Sequence, residues 1–518
     1  NEVLTIKAFT ESRFSTFPSE ITVQVYVTTN FQNSITATVT IPVNLPPRDG
    51  LIIAPDPLSI LSTAIIQTTG WNDPESDTPF LYSFAYTHGV VQSSLGVNWI
   101  QLGPGFISDT SVTYQFPIGQ EAHDYKISLI VWAKDTREAI GFVISQIRAP
   151  PPSLDELIAA LDNYNLEDIL QILIDSITAI ERGYLKTATL CPNCSGNGVC
   201  VSGACVCNST FTLPDCSVST SNMSKLIQLK EKSYTVINNF LKTNPTNQTT
   251  LKKISTLIGV TEVNIKFTPS ATAIKGLNTY KKHLEYLKNM SFITTEVLDE
   301  TSRAYDRILN HLRDTCDLSS SITEEIVKET PSIIDHLTYE LLRYATPDGP
   351  QRIIEYSNFA LLAQRVKVSS LPNKQFSINS STPLMVFPPN GISLGNEVSV
   401  VDIQYFYFHP NITQCFGGNK MSYGIGVKKT GTTLDQSYTN SQAFTVKVPV
   451  KSGEDFQCAD GCEKETVDRE GGAIYASCTC KNLDVFKPSV VASFLANSNL
   501  AKLANAEILL TYDFIGSP

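Results

Sequence analysis

The chain is 518 residues long, and 42% of its residues are hydrophobic and 17% are charged. This length predicts roughly three or four domains. The formal net charge of −11 argues against nucleic-acid binding, which needs clustered Lys and Arg, and against direct docking on an anionic lipid surface. No apolar run reaches the roughly 18 residues of a membrane span, so we expect any membrane anchor to follow Pro518.

Cysteines and glycosylation sequons indicate the compartment. Twelve cysteines and seven N-x-S/T sequons predict a disulfide-bonded glycoprotein of the secretory pathway. One sequon, at Asn193, lies inside a cluster of cysteines. We predict N-glycosylation at the six others, which begin at Asn208, Asn222, Asn247, Asn289, Asn379 and Asn411.

Residues 1–45 contain only strand patterns, in which apolar and polar residues alternate. Three predicted strands, Val3–Lys7, Ile21–Val27 and Ile35–Ile41, bury too little surface to form a domain alone. We interpret them as the C-terminal half of a β-sandwich that begins upstream. The proline-rich segment 46–50 ends this unit, because proline cannot extend a strand ladder.

Residues 46–149 predict a second all-β unit of sandwich size. Its tryptophans, Trp71, Trp99 and Trp132, are expected to plug the core or to anchor an edge. The strand candidates lie near 59–68, 79–87, 96–102, 110–116, 125–133 and 138–147.

An acidic turn follows Trp71 and carries Asp73, Glu75 and Asp77. The favoured interpretation is a solvated turn in which an Asp side chain accepts backbone amides. The alternative is calcium ligation by these three carboxylates. No other metal or cofactor is predicted.

Helical spacing begins after a run of three prolines. A capping box at Ser153–Glu156 predicts one helix, and a second is expected from near Asn165. We assign 150–190 as a helical segment and 217–349 as a helical subdomain, within which Ser321–Glu324 repeats the capping box. The apolar stripes predict buried core at Met223, Leu226, Ile227, Tyr234, Ile237, Leu241, Val297, Leu298, Tyr305, Ile308, Leu309 and Leu312.

Strand patterns return in residues 350–518, which we assign as a β-rich subdomain. The order along the chain is therefore β, β, helical with a cysteine-rich insert, then β. The predicted strands are Ala363–Val368, Pro383–Phe387, Val398–Phe408, Ala443–Val450, Ala473–Cys480 and Glu507–Phe514.

Six cysteines fall within residues 191–216, between the two helical stretches. So short a unit cannot bury a core, and cross-links must hold it. Six cysteines allow fifteen pairings, and spacing alone does not choose among them. A zinc knuckle that uses Cys191 and Cys194 is the competing interpretation, although the oxidising compartment argues against thiolate ligands.

The spacing C-x2-C-x5-C-x4-C-x-C-x8-C of the insert resembles a tenascin-type EGF-like module. That family pairs its first cysteine with the third, the second with the fourth and the fifth with the sixth. The resemblance implies Cys191–Cys200, Cys194–Cys205 and Cys207–Cys216. No acidic residue stands just before Cys191, so the calcium-binding subtype is not expected.

Two further stretches resemble receptor-type polycystins. Residues 46–50, the turn after Trp71 and the strand Pro79–Tyr86 are similar to the fibronectin-like unit of their receptor-for-egg-jelly (REJ) region. Gly461-Cys462, followed by Cys478-Thr-Cys480-Lys-Asn482-Leu483-Asp484, resembles the proteolysis-site (GPS) motif of GAIN domains. In GAIN domains a helical subdomain precedes a twisted β-sandwich that ends in this motif.

The resemblance implies a multidomain fold class of all-β fibronectin- or Ig-like sandwiches followed by a GAIN domain with a small EGF-like insert. Residues 217–349 would be its helical subdomain and 350–518 its β-sandwich. We expect the motif cysteines to bridge one another, because a C-x-C strand needs two partners nearby; they are Cys458, Cys462, Cys478 and Cys480. The pairing of Cys316 and Cys415 stays open.

Autoproteolysis by a GAIN domain needs a His as general base and a Ser or Thr nucleophile after Leu. The matching positions here hold Asn482 and Asp484 around Leu483. Asn has no basic lone pair at neutral pH, and a carboxylate cannot form the ester intermediate. We therefore predict that the chain does not cleave itself, and we assign no catalytic residue.

Six scattered histidines and the lack of a known catalytic motif predict that the chain is not an enzyme. The first hypothesis is a polycystin-like juxtamembrane ectodomain, at the plasma or ciliary membrane, for adhesion, ligand sensing or force transmission. Its expected partners are other surface proteins or a polycystin-type channel subunit. The alternative is a structural glycoprotein, secreted or anchored, that forms a surface filament or matrix.

Overall fold

A computed structural model gives two compact units, Asn1–Pro152 and Ser153–Pro518. The structure describes residues 20–28, 34–92, 96–184, 194–201, 204–212, 216, 218–262, 268–315, 321–378, 384–388, 390, 393–394, 399–409, 422–431, 438–439, 444–449, 462–470 and 473–480.

The first unit contains antiparallel strands throughout its described part. They form a β1-β2 pair, a β3-β4-β7 sheet and a β6-β5-β8-β9 sheet. The strands are β1 Glu20–Thr28, β2 Ser34–Pro42, β3 Leu51–Ile53, β4 Ala64–Thr69, β5 Leu81–His88, β6 Ile100–Gln101, β7 Ser111–Tyr114, β8 Lys126–Lys134 and β9 Ile140–Arg148.

The predicted strands that lie in the described part of this unit correspond to observed strands. One observed strand, β3, was not predicted. β1 and β2 pair in register, with Ile21 opposite Ile41, as their alternating patterns require. The strand expected at Val3–Lys7 lies outside the described residues. The sequence analysis missed β3, because three residues are too few to show a period.

The core of the first unit is centred on β5 and β8. Five consecutive residues of β8, from Ile127 to Val131, are buried, as expected for an inner strand. The three tryptophans are only partly buried, so none of them plugs the core. Trp99 and Trp132 meet edge to face with ring centroids 6.1 Å apart. Trp71 covers Gly50, where a Cβ atom would lie 2.3 Å from the indole ring.

The second unit begins with helices and the disulfide-rich insert. Its first elements are α1 Leu154–Asn163, α2 Leu166–Tyr184, β10 Gly198–Val201, β11 Ala204–Cys207, β12 Phe211–Thr212, β13 Val218–Ser219, α3 Thr220–Leu241, α4 Gln248–Thr261, α5 Ser270–Asn289, α6 Thr295–Thr315 and α7 Ser321–Leu342. None of the described helices is long and apolar enough to cross a membrane.

The predicted helix starts are confirmed at the first two helices. Ser153 caps α1: its hydroxyl accepts the amide of Glu156, whose carboxylate accepts the amide of Ser153 at 2.8 Å. The Asn165 side chain accepts the amide of Glu167 ahead of α2. α7 begins at Ser321 directly after residues 316–320, which lie outside the described residues, so the capping box at Ser321–Glu324 stays a prediction.

Strands complete the second unit. They form a β14-β15-β19-β20 sheet, a β16-β17-β22-β24-β23 sheet and a β18-β21 pair, all antiparallel. The strands are β14 Arg352–Glu355, β15 Phe359–Lys367, β16 Gln375–Phe376, β17 Leu384–Val386, β18 Ser393–Leu394, β19 Val400–Phe408, β20 Ser422–Lys429, β21 Tyr438–Thr439, β22 Phe444–Pro449, β23 Cys462–Glu470 and β24 Ala473–Cys480.

Six described strands of this part were not predicted: the short β14, β16, β18 and β21, and the longer β20 and β23. β20 contains two glycines, and β23 contains six charged residues, so neither shows the apolar alternation of a strand. β20 pairs with β19, and β23 pairs with β24. These more apolar neighbours stabilise the two strands, whose own sequences have weak strand propensity. The strand predicted at Glu507–Phe514 lies outside the described residues.

Candidate functional site

Two disulfides of the insert lie wholly within the described residues. The Sγ atoms of Cys194 and Cys205 are 2.10 Å apart, and those of Cys207 and Cys216 are 2.14 Å apart. These are two of the three pairs that the EGF-like resemblance implies. Cys200 is also disulfide-bonded, while Cys191, its expected partner, lies outside the described residues. Because Cys194 is oxidised, it cannot serve as a thiolate ligand of a zinc knuckle.

Close packing around Cys216 accounts for a glycine of the insert. A Cβ atom at Gly198 would lie 2.7 Å from the Sγ atom of Cys216 and 2.6 Å from the carbonyl oxygen of Val206. The side chain of Asn197 donates to the carbonyl of Cys216 at 3.3 Å. The cystine therefore takes the central position that an apolar side chain would occupy in a larger domain.

The GPS-like motif lies partly on two neighbouring strands. β24 carries Cys478 and Cys480 between β22 and β23, and Cys462 on β23 is directly opposite Cys480 in the register. Cys458 lies outside the described residues. The structure therefore brings two of the four motif cysteines to facing backbone positions, and their bridging remains a prediction.

Several other predicted site residues lie outside the described part of the chain. They are the degenerate cleavage positions Asn482, Leu483 and Asp484, the unassigned Cys316 and Cys415, and the predicted glycosylation sites Asn379 and Asn411.

The four described sequons are all exposed; they begin at Asn208, Asn222, Asn247 and Asn289. Asn247 also caps α4, because its Oδ1 atom accepts the amide of Thr249 at 2.9 Å. A glycan is attached through the Nδ2 atom, which this cap does not use. Exposure and the cap geometry are thus both compatible with glycosylation.

A polar cluster joins α6 to the loop before β15. The carboxylate of Asp306 accepts the amide of Asn358 and the hydroxyl of Ser357, both at 2.8 Å. The Asn358 side chain in turn donates to the Asp306 carbonyl at 2.7 Å and to the side chain of Asn310 at 3.0 Å. Asp306 is 7% exposed and Asn358 is fully buried, so these contacts fix the loop to the helix without competition from water.

A second polar contact joins α7 to the same sheet. The buried Nζ atom of Lys428 on β20 lies 2.8 Å from the Oδ1 atom of Asp335, which also accepts from Gln404 on β19 at 3.1 Å. An apolar contact joins α6 to the same sheet, because Tyr305 packs edge to face on Phe359 with ring centroids 5.2 Å apart. The helices and the first sheet therefore form one joined structure within the second unit.

This helix–sheet junction was not predicted from the sequence. Its polar residues are separated by about 50 or more positions, and the stripe on α6 was interpreted as apolar core alone. Asp306 directly follows Tyr305, a residue of the predicted core stripe that is fully buried. This position was the available signal that Asp306 is buried and has a polar partner.

Two buried histidines occupy the helical core rather than an active site. The Nε2 atom of His283 lies 2.8 Å from the hydroxyl of Ser255. Burial lowers the pKa of His283 to about 3, so the ring is neutral. His311 lies 3.0 Å from the buried carboxylate of Glu262, which also accepts from Tyr234 at 2.5 Å. None of these groups is open to a substrate.

The acidic turn of the first unit is less solvated than predicted. The Oδ1 atom of Asp73 accepts the amides of Glu75 and Asp77 at 2.9 and 3.0 Å, but Asp73 is only 6% exposed. The side chain of Glu75 is exposed, so it is not part of a shared site with Asp73. Among the described residues, no group of three or more His, Cys, Asp or Glu could by itself hold a metal ion.

Comparison with known families bears on the N-terminal third of the chain. Residues 2–176 match the family model of the REJ domain. This part of the chain is therefore similar to a REJ domain. The match is consistent with the receptor-for-egg-jelly module of polycystin-type proteins. No curated protein matches the chain.

The REJ domain belongs to the extracellular regions of polycystins and is not an enzyme family. The match extends beyond residue 149, where the sequence analysis ends the egg-jelly-type unit, and includes α1 and the first part of α2. These helices fold with the second unit: Lys225 on α3 pairs with Asp155 at 2.5 Å, and Thr250 on α4 donates to Glu167 at 2.5 Å. The C-terminal end of the REJ match is thus part of the helical structure.

Proposed function

We propose that the chain is the juxtamembrane ectodomain of a polycystin-like surface glycoprotein, on the extracellular face of the plasma or ciliary membrane. The REJ match over residues 2–176 is the observation that carries this proposal. The disulfides of the insert and the exposure of the four described sequons support the same compartment. Other surface proteins or a polycystin-type channel subunit are the proposed partners.

The second unit is proposed to be a GAIN domain with an EGF-like insert. Three features support this assignment: helices precede the strands, one five-stranded sheet contains the C-x-C strand β24, and Cys462 faces Cys480 across β23 and β24. The insert between α2 and α3 departs from the usual GAIN arrangement.

The proposed GAIN domain does not cleave itself. Asn482 cannot act as the general base, and Asp484 cannot act as the hydroxyl nucleophile. The chain would therefore remain covalent across Leu483. An uncut chain can carry tension from the ectodomain to a membrane anchor, whereas a cleaved one holds its fragments only by noncovalent contacts.

Force transmission is the role that the helix–sheet junction supports best. The buried contacts of Asp306 and Asp335 resist separation of α6 and α7 from the sheet β14-β15-β19-β20. Adhesion and ligand sensing are the other proposed roles of the same ectodomain. Pulling the full chain from its two ends tests force transmission directly. We expect a distinct force peak for the second unit that Asp306→Ala lowers, and extension without such a peak would contradict this role.

Denaturing electrophoresis under reducing conditions tests the non-cleaving GAIN assignment. We expect one band from the wild-type chain and two fragments from an Asn482→His, Asp484→Thr double variant, because it restores base and nucleophile together. Each single variant serves as the control and should stay intact. Wild-type fragments divided at Leu483–Asp484 would refute the non-cleaving proposal, and a folded, uncut double variant would remove support for the GAIN assignment.

A further inference from the structure

Two aromatic side chains form an exposed pair at one end of the helical subdomain. Phe292 and Tyr344 are each 54% exposed, and their ring centroids are 6.1 Å apart. Among the described residues of 218–349, they are the two large hydrophobic side chains that are exposed. A single exposed apolar side chain is ordinary, but two rings in contact on an otherwise polar surface indicate a site that something covers.

Polar contacts fix the position of the pair. The Tyr344 hydroxyl donates to the carbonyl of Ser291, the residue before Phe292, at 2.5 Å. Arg343, the residue before Tyr344, donates to the carbonyl of Met290 at 2.5 Å. The end of α7 is therefore attached to the loop after α5, and the two rings have a defined place beside that loop.

A glycosylation sequon lies at the start of the same loop. Asn289, the last residue of α5, begins the sequon that ends at Ser291. Its side chain is exposed, and no contact among the described residues uses its amide nitrogen. Phe292 follows Asn289 by three positions, so their Cα atoms lie at most about 11 Å apart. The first sugars on Asn289 can span this distance.

The chemistry of the pair suits a sugar. The face of an aromatic ring carries partial negative charge, whereas the C–H groups on one face of N-acetylglucosamine carry partial positive charge. Stacking of the two buries apolar surface and leaves the sugar hydroxyls in water. Two half-exposed rings present far less than the roughly 800 Å² that each partner of a stable protein complex buries, so a protein partner is a poorer fit.

We propose that the first N-acetylglucosamine residues of an N-glycan on Asn289 stack on Phe292 and Tyr344 and cover them. This inference rests on the proposed function, because N-glycosylation requires passage through the secretory pathway. The glycan then acts as a structural part of the helical subdomain, since it covers residues from the loop after α5 and from the end of α7 together.

A second sequon is near enough to require its own test. Gln248, which follows the sequon residue Asn247, donates its side-chain amide to the carbonyl of Phe292 at 3.0 Å. The Oδ1 atom of Asn247 is bound to amides of α4, which directs this side chain toward its own helix. Asn289 is therefore the favoured attachment point, because it shares a loop with Phe292 and its side chain has no such cap to make.

Hydroxyl-radical footprinting of the secreted full chain, read by mass spectrometry, measures the accessibility of each ring. Phe292 and Tyr344 should be oxidised severalfold faster in Asn289→Gln and in Ser291→Ala than in the wild type, because both variants lose the glycan. Ser291→Ala keeps Asn289 and the carbonyl that Tyr344 uses. Tyr164, which is 46% exposed and lies outside any sequon, should be oxidised equally in all the proteins.

A variant at a distant sequon is the matched control. Asn222→Gln removes a glycan from the first turn of α3, roughly 28 Å along that helix from its last residue, Leu241. Oxidation of the aromatic pair should be as in the wild type. A rise as large as that in Asn289→Gln would show a general loss of structure and would contradict a local cover.

The outcomes separate this inference from the proposed function. Unchanged oxidation of both rings in Asn289→Gln, with Asn289 glycosylated in the wild type, would overturn the inference and leave the extracellular assignment intact. An unmodified Asn289 beside occupied sites elsewhere would overturn it as well. Lack of a glycan at every sequon would contradict the proposed function and the inference together.

Other occupants of the aromatic pair give different results. Faster oxidation in Thr249→Ala, which removes the sequon of Asn247, with no change in Asn289→Gln would assign the cover to the other glycan. Oxidation rates that fall as the protein concentration rises, in every variant alike, would assign it to a second copy of the chain. Either result would overturn the proposal.

Discussion

The insert and the helical subdomain of the second unit are stabilised in different ways. In the insert, the valines of the β10-β11 hairpin are largely exposed, at 65% for Val199 and 55% for Val206, and the buried atoms are mainly those of Cys194 and Cys216. In the helical subdomain, Tyr234, Tyr280 and Tyr305 are fully buried, and polar residues such as His283 have side-chain partners inside the core.

This difference follows from the amount of surface each region can bury. A segment of some twenty residues cannot offset its conformational entropy by burial, so cystines restrict its unfolded state instead. The helical subdomain buries ample apolar surface, and its polar groups determine which helix meets which strand. Disulfide bonds therefore stabilise the insert, and noncovalent packing stabilises the neighbouring helices of the same unit.

The largest effect is expected from removing the two cystines. Replacing Cys194, Cys205, Cys207 and Cys216 by Ser should unfold the insert, because each bridge contributes about 2–3 kcal/mol. The helices should persist. Hydrogen exchange, followed by mass spectrometry, should show rapid exchange confined to 194–216, with far-ultraviolet circular dichroism nearly unchanged.

The comparison also provides a control for the cystine variant. Val199→Ala changes an exposed side chain of the same hairpin and should leave exchange as in the wild type. Collapse of the helical signal together with the insert would show that the two regions are not independently stabilised.

The next largest effect is expected at the helix–sheet junction. Asp306→Ala leaves the amide of Asn358 and the hydroxyl of Ser357 without acceptors in a buried setting and should cost about 3 kcal/mol. Asp306→Asn retains one acceptor and should cost less. Denaturant unfolding measures both variants, and equal losses would contradict the assignment of these contacts.

The third prediction concerns pH and the neutral core histidine. The pKa of His283 is lowered from 6.5 to about 3 by burial, so unfolding takes up a proton between these pH values. Stability is therefore complete above pH 6.5 and decreases as the pH falls, by about 2 kcal/mol at pH 5. His283→Gln should remove this contribution, whereas His336→Gln, at a partly exposed site, is the control.

The stability of His283→Gln must be compared with that of the wild type at each pH, because the buried carboxyl of Glu340 also titrates. Burial raises the pKa of Glu340 from 4.5 to about 7 despite the nearby Arg343, so this group favours the folded state as the pH falls through that range. Its effect is opposite in sign to that of His283. The difference in unfolding free energy between His283→Gln and the wild type isolates the histidine, and a pH-independent difference would contradict its neutral state.

The smallest effect separates a helix cap from a glycan. Asn247→Ala removes both the cap of α4 and its sequon, whereas Thr249→Ala removes the sequon and keeps the cap. The first variant should be less stable than the second by about 1 kcal/mol. Thermal unfolding of both proteins after glycan removal measures this difference, and equal stability would show that the cap contributes nothing.

The sequence predicted those features that depend on local periodicity. The capping box at Ser153, the strand β8 and the change from strands to helices all follow from neighbouring residues. β20 and β23 were missed because their cross-strand partners stabilise them. The periodicity of a strand's own sequence does not show which strands it pairs with.

The candidate sites divide in the same way. Cysteine spacing led, through the EGF-like resemblance, to the two pairs that the structure contains. The acidic turn was found, but the side chain of Glu75 proved exposed. The contacts of Asp306 with Asn358 likewise depend on tertiary packing across 52 positions.

The most direct test of the account is peptide mapping of the secreted protein under non-reducing conditions. We predict linked peptides that contain Cys194–Cys205 and Cys207–Cys216, an intact peptide across Leu483–Asp484, and glycan attachment at Asn208, Asn222, Asn247 and Asn289. Free thiols in the insert together with unmodified asparagines would contradict the assignment of this chain as an extracellular polycystin-like glycoprotein.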